Sequence, residues 1–391
     1  MKHSVCVVTG TRAEFGLLQP LLNRLNNDKK IELRLVVTGS HLSKEFGDTQ
    51  NEIEQAGFLP HARIPVLTEE DSKVGMAKAT AKALSAFTDY FADNRPRLLI
   101  ILGDRYEIFA AAVAAAILGI PIAHIHGGET TEGAIDEFLR HSITKMSYLH
   151  FTACEEYRRR VIQLGEAPER VFNVGALGIE NILHLPLLTL SELQENIGFG
   201  LDDAPYCMVT FHPVTLEENT IEEQICELIR AMDLFPEMKF IITKANADAG
   251  GRTINRIWDE EAKKHTNWHV VPSLGVRRYL TALKYAKMII GNSSSGITEA
   301  PAMHIPTVNI GDRQKGRMLT DSIICCSPQK DSIAAAMEKA LSPAFKVIVE
   351  NTKCPYGDGN TSEKIYKEVC QFISCNITSI KKSFYDIHFE G

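Results

Sequence analysis

The chain has 391 residues, 45% hydrophobic and 23% charged, which excludes a disordered chain and leaves room for two domains of ordinary size. A formal net charge of −7 excludes any general pull toward nucleic acid or anionic membrane, so an anionic ligand would need local cations and backbone dipoles. Nine cysteines with no CxxC pair, most inside apolar runs, point to a reducing compartment and away from a disulfide framework.

In chain order the pattern alternates strand and helix. Residues 4–9 (SVCVVT) form a strand signal, and the apolar run before Gly10 is too short for a secretory signal, which predicts a cytoplasmic protein. Residues 14–25 place Phe15, Leu18, Leu21, Leu22 and Leu25 on one helical stripe. Strands follow at 33–38 and 98–102. The Ala-rich run 108–120 stops at Pro121 and is too short to cross a bilayer, so it predicts a buried helix. Strand 121–125, helix 134–146, strand 150–153, helix 155–164 and strand 171–174 complete the first half. Near-continuous apolar strands separated by helices indicate parallel sheets covered on both faces.

A stretch from 183 to 205, ending Asp202-Asp203-Ala204-Pro205, breaks the alternation and reads as a linker. Strand 206–211 then restarts it, with helix 221–234, strand 239–243, helix 255–264, strand 269–272, helix 279–285 and strand 288–290. A short helix runs to Met303, followed by strand 307–310 and helices 332–341 and 363–373. Cys325 and Cys326 read as two strand residues, not a redox pair. The expectation is an α/β protein: an N-terminal Rossmann-like domain over 1–185, a C-terminal one over 186–375 whose last helix can pack back on the first, and a loosely ordered tail over 376–391. Two doubly wound units facing a central cleft would present their ligand loops at strand carboxyl ends.

Four strand ends carry unusual residues. TGTRAEFG (9–16) is a glycine turn that aims backbone N–H groups and Arg12 at a ligand; it lacks GxGxxG, and no acid closes the next strand, so a tightly held dinucleotide is not expected. GDRYE (103–107) sets Asp104 beside Arg105: an ion pair, or an acid–base group with an anion clamp. The third is HIHGGETTEGAIDEFLRH (124–141). His124 and His126 are expected on one strand face, two glycines permit close backbone approach, and Glu129, Glu132, Asp136 and Glu137 follow. A metal is conceivable from His-x-His with acids, but no HExxH or comparable spacing supports one, so none is assigned. The fourth, GNSSSGITE (291–299), ends a strand and opens a helix. Its free N–H groups and positive end suit a phosphate, and Glu299 could accept from ribose hydroxyls. GDRQKGR (311–317) adds Arg313, Lys315 and Arg317, cations suited to a diphosphate. His212, in FHP (211–213), is one more strand-end candidate.

Together TGTRAEFG, GDRYE, HIHGGETTEGAIDEFLRHSITKMS, FHP, GNSSSG with Glu299, and NIGDRQKGR resemble the hydrolysing UDP-N-acetylglucosamine 2-epimerases of bacterial sialic acid synthesis, over nearly the whole chain. The resemblance implies the GT-B architecture of two Rossmann-like domains, no cofactor, and a homodimer or homotetramer. It also implies a reaction. Anti elimination of UDP gives 2-acetamidoglucal; water then adds and carbon 2 is reprotonated from the opposite face, releasing N-acetylmannosamine. Catalytic roles would fall to Asp104, Asp136, His126, Glu129, His212 and Arg105. UDP would be held by Arg12, Ser293, Ser294, Ser295, Gly296, Glu299 and Arg313. Non-hydrolysing relatives place a Glu where this chain has His126, which leaves the second acid–base group open. Other expectations are a UDP-N,N′-diacetylbacillosamine 2-epimerase feeding legionaminic acid, a GT-B glycosyltransferase that needs an acceptor, and a non-catalytic UDP-sugar sensor.

Overall fold

The computed structural model describes residues 2–201, 204–217, 220–375 and 379–387; Asp202 and Asp203 of the expected linker lie outside them. Two compact units divide the chain: Met1–Glu129, Asp136–Asn181 and Tyr356–Gly391 form one, and Thr130–Ile135 with Ile182–Pro355 form the other. The main boundary falls between Asn181 and Ile182. The chain gives six residues of the acid-rich loop to the second unit and returns its last helix to the first.

In the first unit the order is β1 (His3–Thr9), α1 (Arg12–Asn27), β2 (Ile31–Thr38), α2 (Gln50–Gln55), β3 (Ala62–Ile64), α3 (Lys73–Asp93), β4 (Leu98–Leu102), α4 (Tyr106–Ile117), β5 (Ile122–Ile125), α5 (Asp136–Met146), β6 (Leu149–Thr152), α6 (Glu155–Gln163) and β7 (Val171–Asn173). The division falls inside α7 (Leu177–His184). Seven parallel strands take the order β3-β2-β1-β4-β5-β6-β7. Both faces are covered, as strand alternation shows. Val5 and Val7 of β1 pack with Leu18, Leu21 and Leu22 of α1 and with Ile365 and Val369 near the C-terminus. Cys6 and Val8 turn the other way, onto Phe87 and Phe91 of α3 and Ile108 and Ala111 of α4. Each fully buried Val, Leu, Ile or Phe contributes about 1.5–3 kcal/mol, which explains why these strands read as unbroken apolar runs.

The second unit repeats the plan with α8 (Leu190–Ile197), β8 (Tyr206–Thr210), α9 (Ile221–Met232), β9 (Lys239–Thr243), α10 (Gly251–Glu261), β10 (Trp268–Val271), α11 (Gly275–Tyr285), β11 (Ile289–Gly291), α12 (Ser295–Ala302), β12 (Thr307–Ile310), β13 (Ile323–Cys326), α13 (Lys330–Leu341) and α14 (Pro343–Glu350). Its six strands run β10-β9-β8-β11-β12-β13, all parallel. Cys325 and Cys326 are residues of β13 and, like the other cysteines, are free thiols. Each unit is therefore a doubly wound Rossmann-like sheet whose strand order reverses at one place, β1/β4 in the first and β8/β11 in the second. Ligands of such sheets bind at the strand carboxyl ends beside that reversal. Among the described residues no helix is long and apolar enough to cross a membrane.

The last helix, α15 (Thr361–Ser374), packs on α1. Of the tail expected to be loose, 376–378 and 388–391 lie outside the described residues, but 379–387 is anchored to the first unit. Lys382 Nζ bonds both carboxylate oxygens of buried Glu166, at 2.8 and 2.9 Å, and the carbonyls of Lys145 and Ser147. Phe384 covers Gly165 and lies under Lys145 Nζ. Burial alone would raise the Glu166 carboxyl, but bonds from His150, Lys145 and Lys382 outweigh it and hold it down at about 2. Lys382→Ala should therefore lower the melting temperature by several degrees, since it removes one of two ammonium partners of a buried carboxylate. Thermal melting checks this, and an unchanged melt would show the anchor to be idle.

Candidate active site

Apart from His124, which lies within β5, the residues singled out in the first unit follow the carboxyl end of β1, β4 or β5. Thr9–Gly10–Thr11 leaves β1, and the Thr11 side chain caps α1 by accepting from the Glu14 N–H at 3.3 Å. Arg12 opens α1 and pairs with Glu52 of α2 at 2.5 Å. At the end of β4 the adjacent Asp104 and Arg105 diverge. Arg105 Nε bonds Glu107 Oε1 at 2.7 Å, whereas Asp104 meets the guanidinium of Arg140, about one turn into α5. Arg140 is only 1% exposed, and it also donates to the Glu129 carbonyl at 3.0 Å and to Glu137 at 3.2 Å. A buried guanidinium forking onto these groups fixes the Asp104 carboxylate and supplies its counter-charge.

β5 ends at Ile125, so His124 and His126 do not share a strand face as expected. His124 is wholly buried, bonded to the Gly103 carbonyl at 2.8 Å and the Thr144 hydroxyl at 3.2 Å, and burial pushes it down to about 3. It is a neutral structural histidine that ties β5 to the turn carrying Asp104. His126 turns out of the sheet with φ +66°. Left-handed backbone at a non-glycine residue costs on the order of 1–3 kcal/mol and collects at functional sites. Its Nδ1 lies 3.5 Å from Glu129 Oε1, and its Nε2 faces the Leu177 N–H at the start of α7. Asp136 is the first residue of α5, where the helix dipole favours a carboxylate. Asp104, His126, Glu129 and Asp136 thus belong to one strand-end region of the first unit. Among the described residues no group of three or more His, Cys, Asp or Glu side chains could hold a metal ion.

In the second unit the loops after β8, β11 and β12 meet on Asn292. Its side chain accepts from the His212 N–H at 2.7 Å and donates to the His212 carbonyl at 2.8 Å. Its carbonyl accepts from Arg313 at 3.1 Å and from Gln314 at 2.8 Å. One residue, through its side-chain amide and its backbone carbonyl, thereby places His212 and Arg313 beside the triple serine. Gly291 permits this turn: its φ is +130°, and a Cβ there would lie 1.9 Å from the Thr210 carbonyl oxygen. Ser293 and Ser294 precede α12 and Ser295 opens it. The Gly296 N–H already bonds the Ser293 carbonyl at 3.1 Å, so an anion here would draw on the serine hydroxyls and Arg313 as well as on the helix end. The Ser295 hydroxyl is next to Tyr279 of α11, whose phenol burial pushes upward. Glu299 sits half-buried one turn into α12. The loop 130–135 joins this unit: the Glu132 N–H bonds the Lys315 carbonyl at 3.0 Å, and the Ile135 N–H bonds Thr215 at 3.0 Å.

Sequence reasoning missed Glu14, Arg140, Asn292 and Tyr279 as parts of this machinery. Arg140 and Asn292 lay inside the motifs, but their partners are distant in sequence, and only the fold brings them together.

A family model described as UDP-N-acetylglucosamine 2-epimerase matches residues 23–369. A Campylobacter jejuni protein described as a GDP/UDP-N,N′-diacetylbacillosamine 2-epimerase (hydrolyzing) is 41% identical over 99% of this chain and 100% of its own length. The Escherichia coli polysialic acid biosynthesis protein P7 is 39% identical over 98% of this chain and 97% of its own. Among solved structures, the Neisseria meningitidis UDP-GlcNAc 2-epimerase bound to UDP-GlcNAc superposes with a TM-score of 0.79 at 18% identity, over 94% of this chain and 100% of that one, and so shares the fold.

Proposed function

Since the chain belongs to the UDP-N-acetylglucosamine 2-epimerase family, we propose that it is a hydrolysing 2-epimerase that converts UDP-N-acetylglucosamine and water into N-acetylmannosamine and UDP. The observation that carries this reading is the distribution of chemistry over the two sheets. After β4 and β5 of the first stand carboxylates and a strained histidine; after β11 and β12 of the second stand serine hydroxyls, a helix start and Arg313.

The chemistry needs both sets. Carbon 2 of the sugar carries no activating carbonyl, so its proton leaves together with the C1–O bond to UDP. The pair of electrons from C2–H forms the C1–C2 double bond, and UDP departs with the electrons of C1–O. Asp104, held as a counter-ion of Arg140, suits the base. Ser293, Ser294, Ser295, Gly296, Arg12 and Arg313 would meet the growing charge on the departing diphosphate, with His212 next to it and Glu299 at the ribose. Water then adds its oxygen at carbon 1, and a proton reaches carbon 2 from the opposite face. Asp136 and the His126–Glu129 pair are the groups assigned to these transfers, with Arg105 in support.

The purified protein with UDP-N-acetylglucosamine alone should release UDP, and in deuterated water the N-acetylmannosamine formed should carry one deuterium at carbon 2. UDP release only on addition of an acceptor would support a glycosyltransferase instead. The 41% identical relative favours a second reading, with UDP-N,N′-diacetylbacillosamine as substrate. Parallel kcat/KM measurements on the two sugars choose between them.

A further inference from the structure

Two carboxyl groups and one guanidinium are closed in together behind the Asp104 turn. Glu107, in the first turn of α4, is 0% exposed, and its carboxylate is wedged against two strand ends: a Cβ added at Gly10 would lie 2.6 Å from Glu107 Oε1, and one at Gly39 would lie 2.8 Å from it. At Gly10 it is this acid that a Cβ would meet; at Gly39 a Cβ would meet both the acid and the Gly10 carbonyl oxygen, the latter at 2.7 Å. Arg105 Nε donates to that same Oε1 at 2.7 Å and lies 4.0 Å from Glu14 Oε1. Glu14, on α1, takes the Gly10 N–H on its other oxygen at 2.7 Å. Glu107 Oε2 is buried with no donor among the described residues. Of the other charges nearby, Asp104 pairs with Arg140 and adds its own repulsion at Glu14, and Arg12 pairs with Glu52. His41, bonded through both ring nitrogens to Thr9 and Thr49, is pushed down by burial to about 4 and is neutral.

One guanidinium balances one carboxylate, and a second unbalanced carboxylate in a closed space costs several kcal/mol. We propose that Glu14 is a positioning residue for the reaction proposed above: with Glu107 and Arg105 it forms a buried carboxyl pair holding a single proton, which locks the Thr9–Thr11 turn to the Gly103–Arg105 turn and so orients Asp104. A protonated Glu14 both accepts and donates. It takes the Gly10 N–H on one oxygen and has an O–H to give, and Glu107 Oε2 nearby is buried without a donor among the described residues. Burial first, then the charge of Glu107, push the Glu14 carboxyl up to about 8, against the pull of Arg105 and the Gly10 N–H.

Linkage gives a test that needs no substrate. The folded carboxyl binds its proton more tightly than the unfolded one. Its contribution to stability is therefore complete below the unfolded value near 4.5 and is lost as pH rises through about 8. Glu14→Gln supplies the same acceptor and donor with no proton to lose. The melting temperature of Glu14→Gln minus that of the parent should grow by several degrees between about pH 5 and about pH 9, and Glu14→Ala should melt lower than Glu14→Gln throughout. A difference flat with pH, or Glu14→Gln melting as low as Glu14→Ala, would overturn the proposal. In turnover, the alkaline fall of kcat/KM near pH 8 should move upward in Glu14→Gln, while Glu14→Ala loses about tenfold or more at every pH. An alkaline limb identical in parent and Glu14→Gln would refute the orienting role. If no UDP-sugar is turned over while the melting difference still tracks pH, the functional reading fails and the one-proton pair stands.

Discussion

Asp104→Asn should fold with a near-native melting temperature and lose about three orders of magnitude in kcat, the range removed with a general base. The fold should survive because Asn has the same size and keeps an oxygen for Arg140, which retains the Glu129 carbonyl at 3.0 Å and Glu137 at 3.2 Å. The turn before it is also held independently, by His124 on the Gly103 carbonyl at 2.8 Å. What goes is the basic electron pair. An amide cannot take the proton of carbon 2, and UDP cannot depart by elimination unless that proton leaves. Initial rates of UDP release, with the melt as control, check this. A rate within tenfold of the parent would remove Asp104 from the proton transfers and pass the base role to Asp136 or to the His126–Glu129 pair.

Local pattern carried much of this structure. Strands 98–102, 239–243 and 307–310 are read from sequence at the bounds that β4, β9 and β12 adopt, because a strand buried on both faces is an unbroken apolar run with a glycine or polar stop. The turn after β11 is legible for a similar reason: glycines and serines end the strand at Gly291 and open α12 at Ser295. The region from 39 to 97 was not assigned, although α3 spans 21 residues of it. Its stripe is there, at Ala79, Ala83, Phe87 and Phe91, but alanine and glycine dilute the apolar signal that marks a helix face. α7 and α14 went unassigned as well, each being only eight residues long.

The site itself was legible as a set of loops and illegible as a set of pairs. Asp104 and Arg105 are neighbours in sequence, yet each takes its partner elsewhere, Arg140 from α5 and Glu107 from α4. The sequence reading puts His126 on the strand face with His124 and gives close backbone approach to the two glycines after it. The backbone in fact turns left-handed at the histidine itself and again at Gly128, with φ +66° and +80°. A single sequence cannot show that, because periodicity describes where a strand runs and not how the chain leaves it.

The largest combined effect should come from Arg140→Ala. Arg140 is the cation of a small acidic cluster: it touches the carboxylates of Asp104 and Glu137 and the Glu129 carbonyl, and it is 1% exposed. Taking one partner from a buried ion pair costs about 3–5 kcal/mol, because the remaining charges stay behind without compensation. Here two carboxylates stay behind; His141, 2.9 Å from Glu137, meets one of them. The melting temperature should fall on the order of 10 °C, and turnover should vanish even below that transition, since Asp104 would lose the guanidinium that forks onto it. Arg140→Lys tells the two consequences apart. A single ammonium reaches one carboxylate but cannot fork, so much of the stability should return while turnover stays depressed about tenfold or more. An Arg140→Ala protein that melts and turns over like the parent would mean that Asp104 is oriented by something other than α5. A lysine variant with full activity would mean that positive charge alone, and not the fork, sets the base in place.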